Sequence, residues 1–63
     1  MHTDFLRIQK QLLGLPLSYQ EVMALRYFEE KSISEISLIT GKKEGTVKSL
    51  LSRGIEKLRS MNR

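Results

Sequence analysis

Along the chain, apolar residues recur every three or four positions, the spacing of helices with one buried side, and glycine, proline and serine clusters cut the pattern into four pieces. The first covers residues 4–13 and places Phe5, Ile8, Leu12 and Leu13 on its inner side. Gly14-Leu15-Pro16-Leu17 ends it. Pro16 cannot continue a helix interior and restricts Leu15 to an extended conformation, so the chain changes direction. Ser18 and Glu21 have the spacing of a capping box, in which the serine hydroxyl accepts from the glutamate amide and the carboxylate reaches back. That box opens a second helix with Val22, Leu25 and Phe28 inward and Met23, Ala24 and Tyr27 beside them, up to the polar Glu29-Glu30-Lys31.

The same box recurs at Ser32 and Glu35 and opens a short third helix that reaches Thr40. Gly41 follows, the residue best able to take the left-handed conformation that ends a helix and turns the chain. A fourth helix over residues 44–61 carries Val47, Leu51, Leu58 and Met61 as one continuous stripe, widened by Leu50 and Ile55. Gly54 lies in the middle of this stripe, where a missing side chain lets another helix approach closely at a propensity cost of about 1 kcal/mol. The predicted fold class is all-α, a four-helix domain containing a helix-turn-helix.

At 63 residues the chain suffices for a single domain, and with no cysteine and one histidine it is stapled neither by disulfides nor by zinc. Helix packing must supply the stability. No apolar run approaches the roughly 18 residues that span a bilayer, and Met1-His2-Thr3-Asp4 lacks the basic-then-apolar order of a signal peptide, so a cytoplasmic protein without a membrane role is expected. The net charge is +4, and the basic excess gathers after Lys42. Such a segment attracts polyanions, because each neutralised phosphate releases condensed counterions; a merely solvated helix face is the alternative.

Turning about 100° per residue, the side of the fourth helix opposite its apolar stripe carries Lys48, Ser49, Ser52, Arg53, Glu56 and Arg59. A short helix, a glycine turn and an amphipathic helix with small and basic residues near its start is how a helix-turn-helix places a recognition helix in the major groove. Lysine and arginine donate to guanine O6 and N7 there, and serines are short enough to let the helix sit deep. Gly45 and Thr46 fit the same geometry, since a helix N-terminus presents unpaired amides to phosphate and glycine removes the side chain that would hold the backbone away. Read blandly, Gly45 is only a flexible start to the helix. Arg26, beside the stripe of the second helix, has two readings of equal weight: a phosphate contact, or a pair with Glu29 or Glu30. Serines without a nearby histidine, a lone His2 and the absence of a glycine-rich phosphate loop argue against an enzyme, a metal site or a cofactor.

Leu15-Pro16, then Leu25-Arg26-Tyr27-Phe28-Glu29, then Ser34-Glu35-Ile36, and finally Gly45-Thr46-Val47-Lys48-Ser49 through Ser52-Arg53 resemble region 4 of the sigma-70 family of bacterial RNA polymerase sigma factors, with the extracytoplasmic-function group nearest. The resemblance spans roughly residues 13–59, and its specificity lies in the ordered combination. It implies a domain whose last helix binds double-stranded promoter DNA at the −35 element while other surfaces bind the β flap of RNA polymerase core. Carried over, it implies that Lys48, Ser49, Ser52 and Arg53 face bases. Arg26, Lys42, Lys43, Gly45, Thr46 and Lys57 are then expected along the DNA backbone.

The chain departs from the family pattern at several positions. Lys42 stands where an apolar residue is common, Lys43 replaces the usual serine or proline of the helix start, and Leu50 occupies a position often held by arginine. Ser37 replaces a typical alanine, Leu38 a charged residue and Thr40 an apolar one. Nothing corresponds to region 2, which binds polymerase tightly and melts the −10 element, so residues 1–63 are expected to be one domain of a longer factor. Two other readings compete. A LuxR-type response-regulator domain shares the Thr-Val-Lys signature but usually places a histidine soon after it, where this chain has Ser49-Leu50-Leu51-Ser52-Arg53. A protein-interaction module would use the basic helix to bind an anti-sigma factor or phage regulator. A monomer is expected, and an apolar patch at Leu38 or Leu50 is the feature that would make it otherwise.

Overall fold

The computed structural model describes the backbone of residues 2–61 and the side chains of residues 6–61. Among these residues the chain forms four helices and no strand: α1 (His2–Leu13), α2 (Leu17–Met23) continued by a π-helical segment (Ala24–Phe28), α3 (Ile33–Thr40) and α4 (Glu44–Met61). The all-α, helix-turn-helix expectation holds. Leu12, Leu15, Val22, Met23, Ile36, Val47 and Leu51 form the buried core, so every helix and the α1–α2 turn contribute to it.

The first turn differs from its sequence reading. Leu13 is 74% exposed, whereas Leu15 is 5% exposed and belongs to the core. α1 ends at Leu13, and the Gly14 and Leu15 amides donate to the Gln11 and Leu12 carbonyls, both at 3.0 Å. After this tight turn Leu15 lies in the core while Leu13 stays at the surface. The side chain of Phe5, assigned to the same inner face, lies outside the described residues. The Ser18 capping box does not form. α2 starts two residues earlier with Pro16 as its N-cap, and the amides of Tyr19 and Gln20 both donate to the Pro16 carbonyl at 3.0 and 3.2 Å. Ser18 is therefore already inside the helix, and Gln20 Nε2 donates to the Leu15 carbonyl at 2.7 Å to close the turn.

The stripe of α2 also shifts. Val22 and Met23 are the fully buried pair, while Leu25 and Phe28 are half-buried against the core. After Met23 the helix widens, with the Glu29 amide donating to the Ala24 carbonyl five residues back, so a regular 3.6-residue count no longer predicts which side faces in. The helix closes with Glu30 at φ 56° and the Lys31 amide donating to the Leu25 carbonyl at 2.9 Å.

The remaining boundaries follow the sequence closely. The Ser32 box is complete: the Glu35 amide donates to Ser32 Oγ at 3.1 Å, and the Ser32 amide donates to Glu35 Oε1 at 2.8 Å. Gly41 takes the left-handed conformation at φ 76°, its amide bonded to the Ser37 carbonyl. Along α4, Val47, Leu51 and Gly54 are buried, Leu50, Ile55 and Leu58 are half-buried, and Met61 at 45% exposure marks where the stripe leaves the core.

Candidate nucleic-acid interface

Two hydroxyls fix the turn that aims α4. Ser37 Oγ donates to the Lys42 carbonyl at 2.5 Å, and Thr40 Oγ1 donates to the Ile36 carbonyl at 2.8 Å while accepting from the Lys42 amide at 3.3 Å. The residues that depart from the family pattern at positions 37 and 40 thus tie both polar groups of the Lys42 backbone. Lys42 is half-buried as a result and Lys43 is exposed. α4 then begins with the Val47 amide donating to the Lys43 carbonyl at 3.0 Å. The amides ahead of Val47 have no acceptor within the helix, as at any helix start, and Gly45 and Thr46 are exposed beside them.

With Val47, Leu51 and Gly54 buried, the opposite side of α4 is turned to solvent. Lys48, Ser49, Ser52 and Arg53 are all exposed there, together with Glu56 and Arg59. At about 1.5 Å rise per residue, Lys48 and Arg53 lie about 7.5 Å apart along the axis, a short, donor-rich segment near the N-terminal half of the helix. Leu50 is half-buried against the core, so the position often held by arginine contributes packing. Leu38, at 83% exposure, and Ile39 stand out from α3.

Not every residue expected at the DNA is brought to α4. Arg26 is exposed on the π-helical segment, and its Nη1 donates to the Lys31 carbonyl at 3.0 Å, bracing the α2–α3 turn. That backbone contact is neither of the two roles read from the sequence. Lys57 is exposed one turn beyond Arg53, and its ammonium lies 5.6 Å from the centroid of the Tyr19 ring. Sequence reasoning missed Tyr19, because nothing local to residue 19 announces a partner on another helix.

Glu35 is shifted in its titration by its hydrogen bonds. Hydrogen bonds first from the Ser32 backbone and then from its side chain hold its carboxyl below the usual value. An apolar groove of about 540 Å³ opens on the far side of α4, between Ile8 and Leu12 of α1, Tyr27 and Phe28, and Ile55 and Leu58. Among the described residues, no group of three histidine, cysteine, aspartate or glutamate side chains could hold a metal ion, and no helix is long and apolar enough to cross a membrane.

A short helix joined by a glycine turn to a longer helix with a solvent-facing basic side defines the class: a helix-turn-helix domain. The family follows from comparison with known proteins. Residues 5–58 match the family described as "Sigma-70, region 4", and the chain belongs to it. The chain is 43% identical over 56 residues to the "ECF RNA polymerase sigma factor SigW" of Bacillus subtilis (strain 168), covering 89% of this chain and 30% of that protein. It is 40% identical over 52 residues to the "RNA polymerase sigma factor SigV" of the same organism, covering 82% of this chain and 31% of that protein. The chain therefore spans less than a third of the length of these relatives. No solved structure matches it at comparable significance.

Proposed function

We propose that this chain binds the promoter −35 element as domain 4 of an alternative sigma factor, directing RNA polymerase to its start sites without catalysis of its own. The carrying observation is the exposed face of α4, where Lys48, Ser49, Ser52 and Arg53 stand free of the core on a helix whose entry angle is fixed by Ser37, Thr40 and Gly41. In this reading α4 lies in the major groove, Lys48 and Arg53 donate to base edges, and Ser49 and Ser52 bond bases or phosphates. Lys42, Lys43, Gly45, Thr46 and Lys57 lie along the backbone, and Arg26 reaches phosphate with the donors its bond to Lys31 leaves over. A second surface serves polymerase: the apolar groove beside Tyr27 and Ile55 suits a helix or loop of the β flap. An anti-sigma factor would act by covering either surface.

Selection of duplexes from a random-sequence pool by the 63-residue chain tests the reading. Enrichment of one short motif, bound by a monomer with affinity that falls steeply with salt, is the expected result. Recovery of sequences no different from the starting pool would leave a protein-interaction module as the surviving reading. On its own the domain binds weakly and does not initiate transcription, because polymerase supplies most of the affinity in the full assembly.

A further inference from the structure

Near the C-terminal end of α4, Tyr19, Arg53, Glu56, Lys57 and Ser60 line a shallow polar recess between α2 and α4. Its two halves are built differently. The tyrosine ring is half-buried and packed against the core, so its position is set by the fold, and its amide is held by the Pro16 carbonyl. Lys57 is exposed at the end of a flexible four-carbon stem, and its ammonium lies over that ring at 5.6 Å from the centroid. Glu56 is its neighbour in sequence, about 100° around the helix, and points a carboxylate to the same solvent face that carries Ser52 and Arg53.

We propose that Tyr19 is a positioning residue that holds Lys57 as a phosphate-binding cation, so that the protein grips the DNA backbone at the far end of α4 from its glycine turn. The proposal rests on the DNA-binding reading. An unrestrained lysine at position 57 samples many directions from the side of the helix, including the solvent face that carries Glu56. The negative face of the Tyr19 ring draws the ammonium to the other side of the recess, where an incoming phosphodiester meets the cation without facing Glu56. Glu56 thereby sets the direction of approach: a phosphate centred over the helix is repelled, and one entering from the Tyr19 side is held.

The test measures binding of the full chain to a selected duplex and to an unrelated duplex of equal length, across a salt series, for wild type, Lys57→Ala, Tyr19→Phe, Tyr19→Leu and the Tyr19→Leu/Lys57→Ala pair. Lys57→Ala should weaken binding equally on both duplexes and lower the salt slope by about one. Tyr19→Leu should lose about two- to fivefold in affinity, Tyr19→Phe should keep it, and Tyr19→Leu should cost nothing further once Lys57 is gone. A role in packing alone would lower the melting midpoint of Tyr19→Leu and leave the salt slope untouched. An unchanged slope in Lys57→Ala overturns the phosphate contact, and equal losses from Tyr19→Leu with and without Lys57 overturn the positioning role. Should Tyr19→Leu fail to fold, Tyr19→Met replaces it in the same cycle, since it fills the core with a flexible side chain but offers no ring face to the ammonium. If wild type binds no duplex at all, the DNA-binding reading falls first and takes this site with it.

Discussion

The thioether of Met23 fills the space that a side chain on Gly54 would need: a β-carbon built there would overlap the methionine sulfur and sit 3.3 Å from both Cγ and Cε. Both residues are buried, and the contact joins α2 to the middle of α4. Two effects oppose each other in Gly54→Ala. Helix propensity favours alanine by about 1 kcal/mol, whereas overpacking a buried contact costs about 1–3 kcal/mol. Met23 is buried but flexible and borders the apolar groove beside Ile55, so its thioether can yield part of the overlap. The loss should stay at the low end of that range and roughly offset the propensity gain, and the variant should melt no higher than wild type. Met23→Val removes the sulfur, so adding Gly54→Ala to it should be less harmful. Additive losses in a urea double-mutant cycle would refute the contact as the cause.

Two residues in left-handed conformation should respond in opposite directions. Glu30 at φ 56° bears the strain of a side chain in that region, about 1–2 kcal/mol, and the extra freedom glycine gives the unfolded chain offsets about half of it. Glu30→Gly is expected to raise stability by about 0.5–1 kcal/mol. Gly41 at φ 76° has nothing within 4 Å of a built β-carbon, so Gly41→Ala tests the backbone alone and should lose about as much. Denaturant midpoints that move the same way for both variants would contradict the assignment.

These cases also show where the sequence was informative. The Ser32–Glu35 box, Gly41 and the stripe of α4 were legible because each depends on residues within one turn of one another, and the solvent face of α4 follows from that stripe by helix geometry. Ser18 and Glu21 have the same spacing as Ser32 and Glu35, yet the first pair is overridden by a helix start two residues earlier, with Pro16 at the N-cap. The partial exposure of Leu25 accompanies a π-helical turn that no hydrophobic period announces, and Met23, just before that turn, is buried against Gly54 of another helix. Tyr19 and Lys57, or Met23 and Gly54, meet only through tertiary packing. Ser37 and Thr40 read as departures from a family pattern until the turn they fasten is seen.

Acid should selectively weaken the start of α3. Glu35 titrates below its ordinary value because the Ser32 amide and hydroxyl group stabilise its ionised form, and a carboxyl depressed in the folded state contributes stability above its unfolded pKa. That contribution is present at neutral pH and fades as the pH falls from about 4.3 through the lower folded value. Glu35→Gln keeps an acceptor for the Ser32 amide but removes the charge, so the stability gap between wild type and variant should narrow over that window. Melting curves at pH 7 and at successively lower pH provide the measurement, and a gap that stays constant with pH would exclude Glu35 as its source.

On the proposed DNA face, Arg53 and Lys43 should fail in distinguishable ways. Arg53 projects from the exposed side of α4, and a guanidinium there can donate in parallel to O6 and N7 of one guanine, a geometry no other base offers. Arg53→Ala is expected to lower the preference for a selected duplex over one altered at a single base pair by about 1–3 kcal/mol. Lys43 precedes the helix, beside its unpaired first amides, where the nearest anion is a backbone phosphate carrying no sequence information. Lys43→Ala should therefore weaken all duplexes alike and lower the salt slope by about one. Competition binding against a panel of single-base variants separates the two. If Arg53→Ala weakens every duplex equally, Arg53 is a phosphate contact and sequence reading on α4 passes to Lys48, Ser49 and Ser52, nearer its start.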